Sequence, residues 1–301
     1  MRSPILFLVF NRPAPTAQVF AAIRAARPPR LYVAADGARS NRPGEEQRCE
    51  QTRRVATAVD WPCEVKTLFR EKNLGCKQAV SQALDWYFEC EEEGVVLEDD
   101  CVPDPSFFRY CDELLEYHRN DDRVALISGD NFQFGRAYGD SSYYFSRYVH
   151  IWGWASWRRM WRHYDRDMKA WPAFRDGGGL QRIFGTRSRE IKYWRRVFDA
   201  VHRGEIDTWD YQVNFAVWAQ RMLTILPQKN LVKNIGFGTD ATHTTARSKF
   251  ADMLAEQLGF PLRHPTSYEN CVAADDYTAA EMFLRPFSAR VIDKLKSIWQ
   301  R

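Results

Sequence analysis

Between residues 1 and 130, short apolar runs alternate with segments of helical period, the pattern that builds a mostly parallel central sheet flanked by helices. Ile5–Phe10 reads as a strand, and Pro13–Arg24 follows with Ala17, Phe20, Ala21 and Ile23 at helical spacing. Leu31–Ala35 is the second strand. It ends on Asp36-Gly37, a turn signal, and the polar stretch to Val59 holds the next helix. Val65–Phe69 is the third strand. From Gly75 to Glu92, Ala79, Val80, Ala83, Leu84, Tyr87 and Phe88 share one helical face. Gly94–Leu97 is a brief fourth strand that runs straight into Glu98-Asp99-Asp100, and a helix Pro105–His118 and a strand Val124–Ser128 complete this half.

After Gly129 the rhythm breaks into aromatic and polar segments, with Gly177-Gly178-Gly179 as the clearest flexible point. This stretch is expected to wrap a cleft rather than repeat the sheet. The organisation that follows is an α/β half over 1–130, an aromatic-rich second half of the same domain over 131–245, and a helical C-terminal extension over 246–301. In Ser288–Arg301, Val291, Ile292, Leu295, Ile298 and Trp299 fall on one side, with Arg290, Lys294 and Arg301 mostly elsewhere. That is a basic amphipathic helix, suited to docking on its own protein or to peripheral contact with a membrane.

Composition narrows the choices. A chain that is 45% hydrophobic supports a large core, and a net charge of +4 with 27% charged residues gives no reason to expect a nucleic-acid partner. A small anionic ligand fits that balance as well. The tryptophans crowd between Trp152 and Trp218, where they fill a core or line a sugar-binding cleft, the core being expected for most. Seven cysteines, an odd number without a C-x-x-C pair, read as reduced thiols in a cytoplasmic protein. The apolar run Pro4–Phe10 is too short to span a membrane and is interrupted by Asn11-Arg12-Pro13, so it is expected to be a strand and not a targeting segment.

The chemistry concentrates at Glu98-Asp99-Asp100. In open α/β sheets ligands bind beyond the carboxyl ends of the strands. Three adjacent carboxylates led out of a buried strand by Val95, Val96 and Leu97 call for a compensating cation, and hard oxygen ligands suit Mn2+ or Mg2+. The competing reading is a solvated acidic loop before a helix whose N-cap is Asp104.

In its ordered motifs the chain resembles nucleotide-diphospho-sugar glycosyltransferases of the GT-A fold. Ile5–Phe10 with Asn11-Arg12-Pro13 is similar to the opening strand and its nucleotide-facing loop, and Asp36-Gly37 stands where that fold places an acid against base or ribose. Asn73-Leu74-Gly75 with Lys77 resembles the N-x-G segment that opens the helix before the metal motif, and Gly94–Asp100 resembles that motif itself. Glu98-Asp99-Asp100 with Val102-Pro103-Asp104-Pro105-Ser106-Phe107-Phe108 looks like the N-acetylglucosaminyltransferase I type, and Ile151–Trp157 resembles its Gly-Trp segment.

The resemblance implies that Asp100 holds the metal, that Glu98 and Asp99 turn toward sugar and ribose, and that Phe10, Asn11, Arg12, Asp36, Asn73, Gly75 and Trp154 belong to the donor site. It also implies Asp210, in Thr208-Trp209-Asp210-Tyr211-Gln212, as the base that takes the acceptor proton; Asp210 stands equally where an N-cap for the helix Val213–Ala219 would, and Asp207 is the nearest competing acid. His243, in Gly236–His243, is a candidate second metal ligand, and Arg12, Lys72 and Lys77 could contact phosphates. The implied activity is transfer of a sugar, expected from a UDP-sugar and with inversion, to a glycan or lipid-linked acceptor in the cytoplasm or on the inner membrane face. Two alternatives stand beside it. One is a non-catalytic carbohydrate- or nucleotide-sugar-binding protein. The other is a sugar-nucleotide nucleotidyltransferase, which would carry a glycine-rich loop where this chain has Asn11-Arg12-Pro13-Ala14-Pro15-Thr16.

Overall fold

The computed structural model describes residues 1–237, 249–250 and 253–284. In chain order the first part runs β1 Ile5–Val9, α1 Pro13–Ala26, β2 Arg30–Ala35, α2 Glu45–Ala56, β3 Glu64–Phe69, α3 Cys76–Cys90, β4 Glu93–Glu98, β5 Cys101–Pro103, α4 Pro105–Tyr117 and β6 Val124–Ser128. These bounds fall close to those expected from hydrophobic period. Local chemistry explains the helix starts: Pro13 and Pro105 stand at the first helical positions, where the missing N–H costs nothing, and Asp104 accepts the Ser106 N–H at 2.8 Å. The second part contains β7 Tyr143–Ser146, β8 Trp154–Trp157, α5 Arg158–Trp161, α6 Trp171–Asp176, α7 Gly179–Phe184, α8 Ser188–His202, α9 Asp210–Ala219, β9 Leu223–Pro227, β10 Val232–Asn234 and α10 Val272–Thr278.

One sheet of eight strands runs through both parts in the order β3-β2-β1-β4-β8-β6-β9-β7. Its β3-β2-β1-β4 side is parallel, with Ile5 level with Leu31 and Val95, and β6 and β9 are parallel to each other. β8 enters antiparallel between β4 and β6, placing Val96 opposite Trp154, and β7 closes the far edge antiparallel to β9. The fold is therefore α/β with a mixed central sheet between helices.

Both faces of the sheet are covered, and the period of two along β1 divides the core. Ile5, Phe7 and Val9 pack with α1 and α4 through Val19, Ile23 and Phe107, whereas Leu6 and Leu8 pack with α3 through Leu84, Tyr87 and Phe88 on the opposite face. On that second face Trp154, Trp171, Trp194 and Trp218 are fully buried with α8 and α9. Core filling thus accounts for most of the tryptophans.

The expectation that the second half wraps a cleft without repeating the sheet is corrected. It supplies β7, β8 and β9, and β8 lies at the centre of the sheet. The signal was hidden because each of these strands has only four or five residues and all but the first residue of β9 are buried, so no polar alternation marks them. Residues 253–270 follow as an irregular strap, held where Glu256 N–H donates to Asn230 O at 2.7 Å and Leu258 N–H to Ser106 Oγ at 3.0 Å. The amphipathic segment Ser288–Arg301 lies outside the described residues, among which no helix is long and apolar enough to cross a membrane.

Candidate active site

Beyond the carboxyl ends of β1, β2 and β4 opens a cavity of about 690 Å³. Its floor is the end of β4. Glu98 is the last strand residue, Asp99 and Asp100 form the turn that follows, and β5 then pairs antiparallel with β10, Cys101 against Asn234. Ile235 N–H donates to the Asp100 carbonyl at 2.8 Å, fixing the turn from the other side. Gly236 passes so close that a Cβ there would lie 2.0 Å from Asp100 Oδ2. A side chain at 236 would displace this carboxylate.

Arg12 closes the near wall. It directly precedes α1, and its guanidinium pairs with Asp99 through Nη2 and with Asp100 Oδ2 at 2.9 Å. Burial opposes the Arg12 charge, yet the two carboxylates outweigh it and raise its pKa above the ordinary value. Among the described residues Glu98 has no such partner. Burial, then the charges of Asp100 and Asp99, push its carboxyl well above the usual range; Asp99 is also raised by burial, with Arg12 working against the shift.

A carboxyl whose pKa is raised on folding binds its proton more tightly in the folded chain, so stability falls as pH rises from the ordinary carboxylate range towards the raised value. In buffer containing a chelator, Glu98→Gln is therefore expected to flatten the decline of melting temperature between about pH 5 and about pH 8, and to exceed the native chain by about 1 kcal/mol at the upper end. Identical slopes would remove Glu98 as the source.

The far wall is the turn before α9. Asp207 and Asp210 both line the cavity, the first exposed and the second half-buried. Asp210 is the first residue of α9 and its Oδ1 accepts from the Tyr211 N–H at 2.9 Å and from the Thr208 hydroxyl. The N-cap position belongs to Trp209, whose buried indole stacks on Trp154 at 6.0 Å. Gly75 lets this turn come close: it sits at φ +80, and a Cβ would be 3.1 Å from Asp207 Oδ2. Cys76 reports the crowding of acids, its thiol pushed up to about 12 by burial and then by Glu98, Asp210, Asp207 and Asp36.

The remaining expected residues divide. Phe10, Asp36, Asn73 and Gly75 stand on the cavity wall with Arg12 and the acids. Asp36 is engaged with backbone, accepting the N–H groups of Gly37, Leu74 and Gly75 at 2.9 to 3.1 Å, and Asn73 Nδ2 donates to Gly37 O at 2.8 Å. Together they staple the β3–α3 loop to the end of β2. Asn11, Lys72, Lys77 and Trp154 are not on the wall: Asn11 Nδ2 donates to Glu45 at 2.9 Å, Lys72 is exposed, Lys77 Nζ lies 3.9 Å from Asp167, and Trp154 is buried behind Trp209. His243 lies outside the described residues.

Sequence reasoning missed Arg39, which lines the cavity 5.5 Å over the Phe10 ring. It is held by Glu45, a fully buried carboxylate that also accepts the Arg39 N–H at 2.7 Å, and Arg39 is the main reason the Glu45 pKa falls to about 2. The only signal in the sequence is an acid at the start of α2, which by itself reads as a helix-dipole partner.

Among the described residues, no group of three or more His, Cys, Asp or Glu side chains is placed to hold a metal ion by itself. Magnesium-type ions are commonly bound by one or two carboxylates together with substrate phosphates. Asp100, with Asp99 beside it at the open end of β4, fits that mode of binding.

No family model matches the chain, and neither does any curated protein. Similar solved structures include apo UDP-glucose pyrophosphorylase, at 10% identity over 76% of this chain and 90% of that one, with a TM-score of 0.39. HddC from Yersinia pseudotuberculosis matches at 9% identity over 54% and 80%, TM-score 0.33. A cytidylyltransferase from Leptospira borgpetersenii matches at 13% over 54% and 63%, TM-score 0.31. None of these three is named as a glycosyltransferase, and at such TM-scores the likenesses carry no functional weight.

Proposed function

We propose that the chain is a metal-dependent glycosyltransferase that moves a sugar from a nucleotide-diphosphate donor to a glycan or lipid-linked acceptor. The observation that carries this reading is the cavity itself, lined by Glu98, Asp99 and Asp100 at the end of β4 and by Asp207 and Asp210 at the start of α9. Two sets of acids from different elements on one cavity can divide the work between the donor phosphates and the acceptor proton. The short connection Phe10-Asn11-Arg12 between β1 and α1 contains no glycine, which favours this reading over the nucleotidyltransferase alternative.

In this proposal Arg12 neutralises the donor diphosphate and orients it, drawing on the guanidinium that now bridges Asp99 and Asp100. Asp100 would hold Mn2+ or Mg2+, with His243 a further candidate; the ion, when bound, neutralises charge on the phosphate oxygens. Glu98, favouring its protonated form, offers a hydrogen-bond donor to a sugar hydroxyl. Asp210 takes the acceptor hydroxyl proton at Oδ2, because Oδ1 is already held by Thr208 and Tyr211. As the proton leaves, the acceptor oxygen attacks the anomeric carbon and the nucleoside diphosphate departs. UDP as the nucleotide and inversion at the anomeric carbon follow from the resemblance of the motifs.

A panel of nucleotide sugars with and without manganese tests the reading. One donor at a hundredfold excess over its Kd should stabilise the chain by about 2.7 kcal/mol, several degrees in Tm, and only with the metal. A chain that none of the donors stabilises would not be an enzyme of this class.

A further inference from the structure

A second cavity, of about 460 Å³, opens at the opposite edge of the sheet. It lies where β7 ends and β9 begins, since Ser146 pairs with Thr224, and β9 runs parallel to β6. The start of β9 is therefore on the side away from Glu98, so this space is separate from the carboxylate-lined one.

Its wall carries Arg147, Arg182 and Arg221 with Asn270, and among the described residues no acid lines it. Arginines gathered on one wall without a lining carboxylate offer donors suited to an anion. Arg147 is preset: Nε donates to Asp275 Oδ2 at 3.0 Å and Nη1 to Ile183 O at 3.0 Å, while Asp275 itself is buried behind the wall and held by Ser146 and Asn270. Arg182, whose Nη1 donates to Gly177 O, and Arg221 are exposed at the rim, and the half-buried Ile183 and Met222 supply apolar surface.

The end of α9 sets where Arg221 stands. α9 ends in a Schellman arrangement, with the Arg221 N–H donating to Trp218 O at 3.1 Å and the Met222 N–H to Val217 O at 2.9 Å. The residue after such a cap sits in the left-handed region, which glycine fills most readily; here φ is 57 and the residue is arginine. Arg27 takes the same conformation after α1, at φ 49, so this is an ordinary helix end; its consequence here is to put a third guanidinium on this cavity.

We infer that this arginine-lined cavity is a phosphate-binding site distinct from the donor site, formed by Arg147, Arg182 and Arg221 and taking a phosphate or diphosphate group. The three planar donors suit its tetrahedral oxygens, and Ile183 and Met222 suit an apolar portion attached to it.

The test uses the full chain with chelator present and inorganic pyrophosphate as probe, measured by calorimetric titration. A parallel arm measures sedimentation with vesicles containing phosphatidic acid, which separates a lipid phosphate from a free one. Measured beside Arg12→Ala, which removes the diphosphate contact proposed for the donor site, the binding that remains should weaken by about tenfold per arginine in Arg182→Gln with Arg221→Gln. Both substituted arginines are exposed, so the fold is expected to persist, which circular dichroism checks. Equal binding by the double variant, loss of all binding in Arg12→Ala, or no binding of either probe by the native chain would each overturn the proposal. These outcomes do not depend on sugar transfer.

Discussion

Asp100→Ala is expected to abolish the manganese-dependent rise in melting temperature given by the donor and to lower the transfer rate by about a thousandfold or more. Asp100 is the acid most open to the cavity in the turn after β4, and its main chain is clamped from both sides by β4 and by the β5–β10 ribbon. Removing the carboxylate therefore deletes a ligand without loosening the turn, because the clamp is made of backbone bonds. Arg12 keeps its pairing with Asp99 in the variant, so the near wall also persists. The measurement is a paired thermal shift, with and without manganese, on native and variant chains alongside a transfer assay. A manganese-dependent shift that survives the substitution would move the metal away from Asp100 and remove the central element of the proposed chemistry.

The second large effect is expected at the opposite wall. Asp210→Asn should reduce transfer by about 10²- to 10⁴-fold while the donor still binds, the range for loss of a general base. The amide is nearly the same shape and its oxygen can still accept from Thr208 and the Tyr211 N–H, so the start of α9 is preserved. Asp207→Asn is the control, since Asp207 lines the same cavity but is exposed. Full activity in Asp210→Asn with loss in Asp207→Asn would transfer the role to Asp207, and full activity in both would place proton removal on neither. The order of the two walls matters to the reading: Asp100 variants should fail in donor binding with metal, Asp210 variants only in turnover.

Much of the carboxylate-lined side was legible because it is local. Val95-Val96-Leu97 running into three acids can be read from adjacent residues, and a buried strand ending in polar groups marks the carboxyl edge of a sheet. The helix from Cys76 to Cys90 and that from Pro105 to Tyr117 announce themselves through a repeating apolar face and, in the second, through Asp104 and Pro105. The division of the β1 side chains between two core faces likewise follows from a period of two.

What the sequence by itself determined was therefore the alternation of elements over the first 130 residues, the parallel pairing of its early strands and the placing of Glu98-Asp99-Asp100 at a strand end. Tertiary structure alone decided which distant groups meet that triplet. Arg12 reaches Asp99 and Asp100 across 87 and 88 positions, and Asp36 turns its carboxylate to the backbone at Leu74 and Gly75. It also decided that Trp154-Ala155-Ser156-Trp157 is a strand between β4 and β6, and that Trp154 supports Trp209 from behind the cavity wall. The physical reason is that hydrophobic period and capping act over a few residues, whereas ion pairs and strand order depend on which chain segments packing brings together.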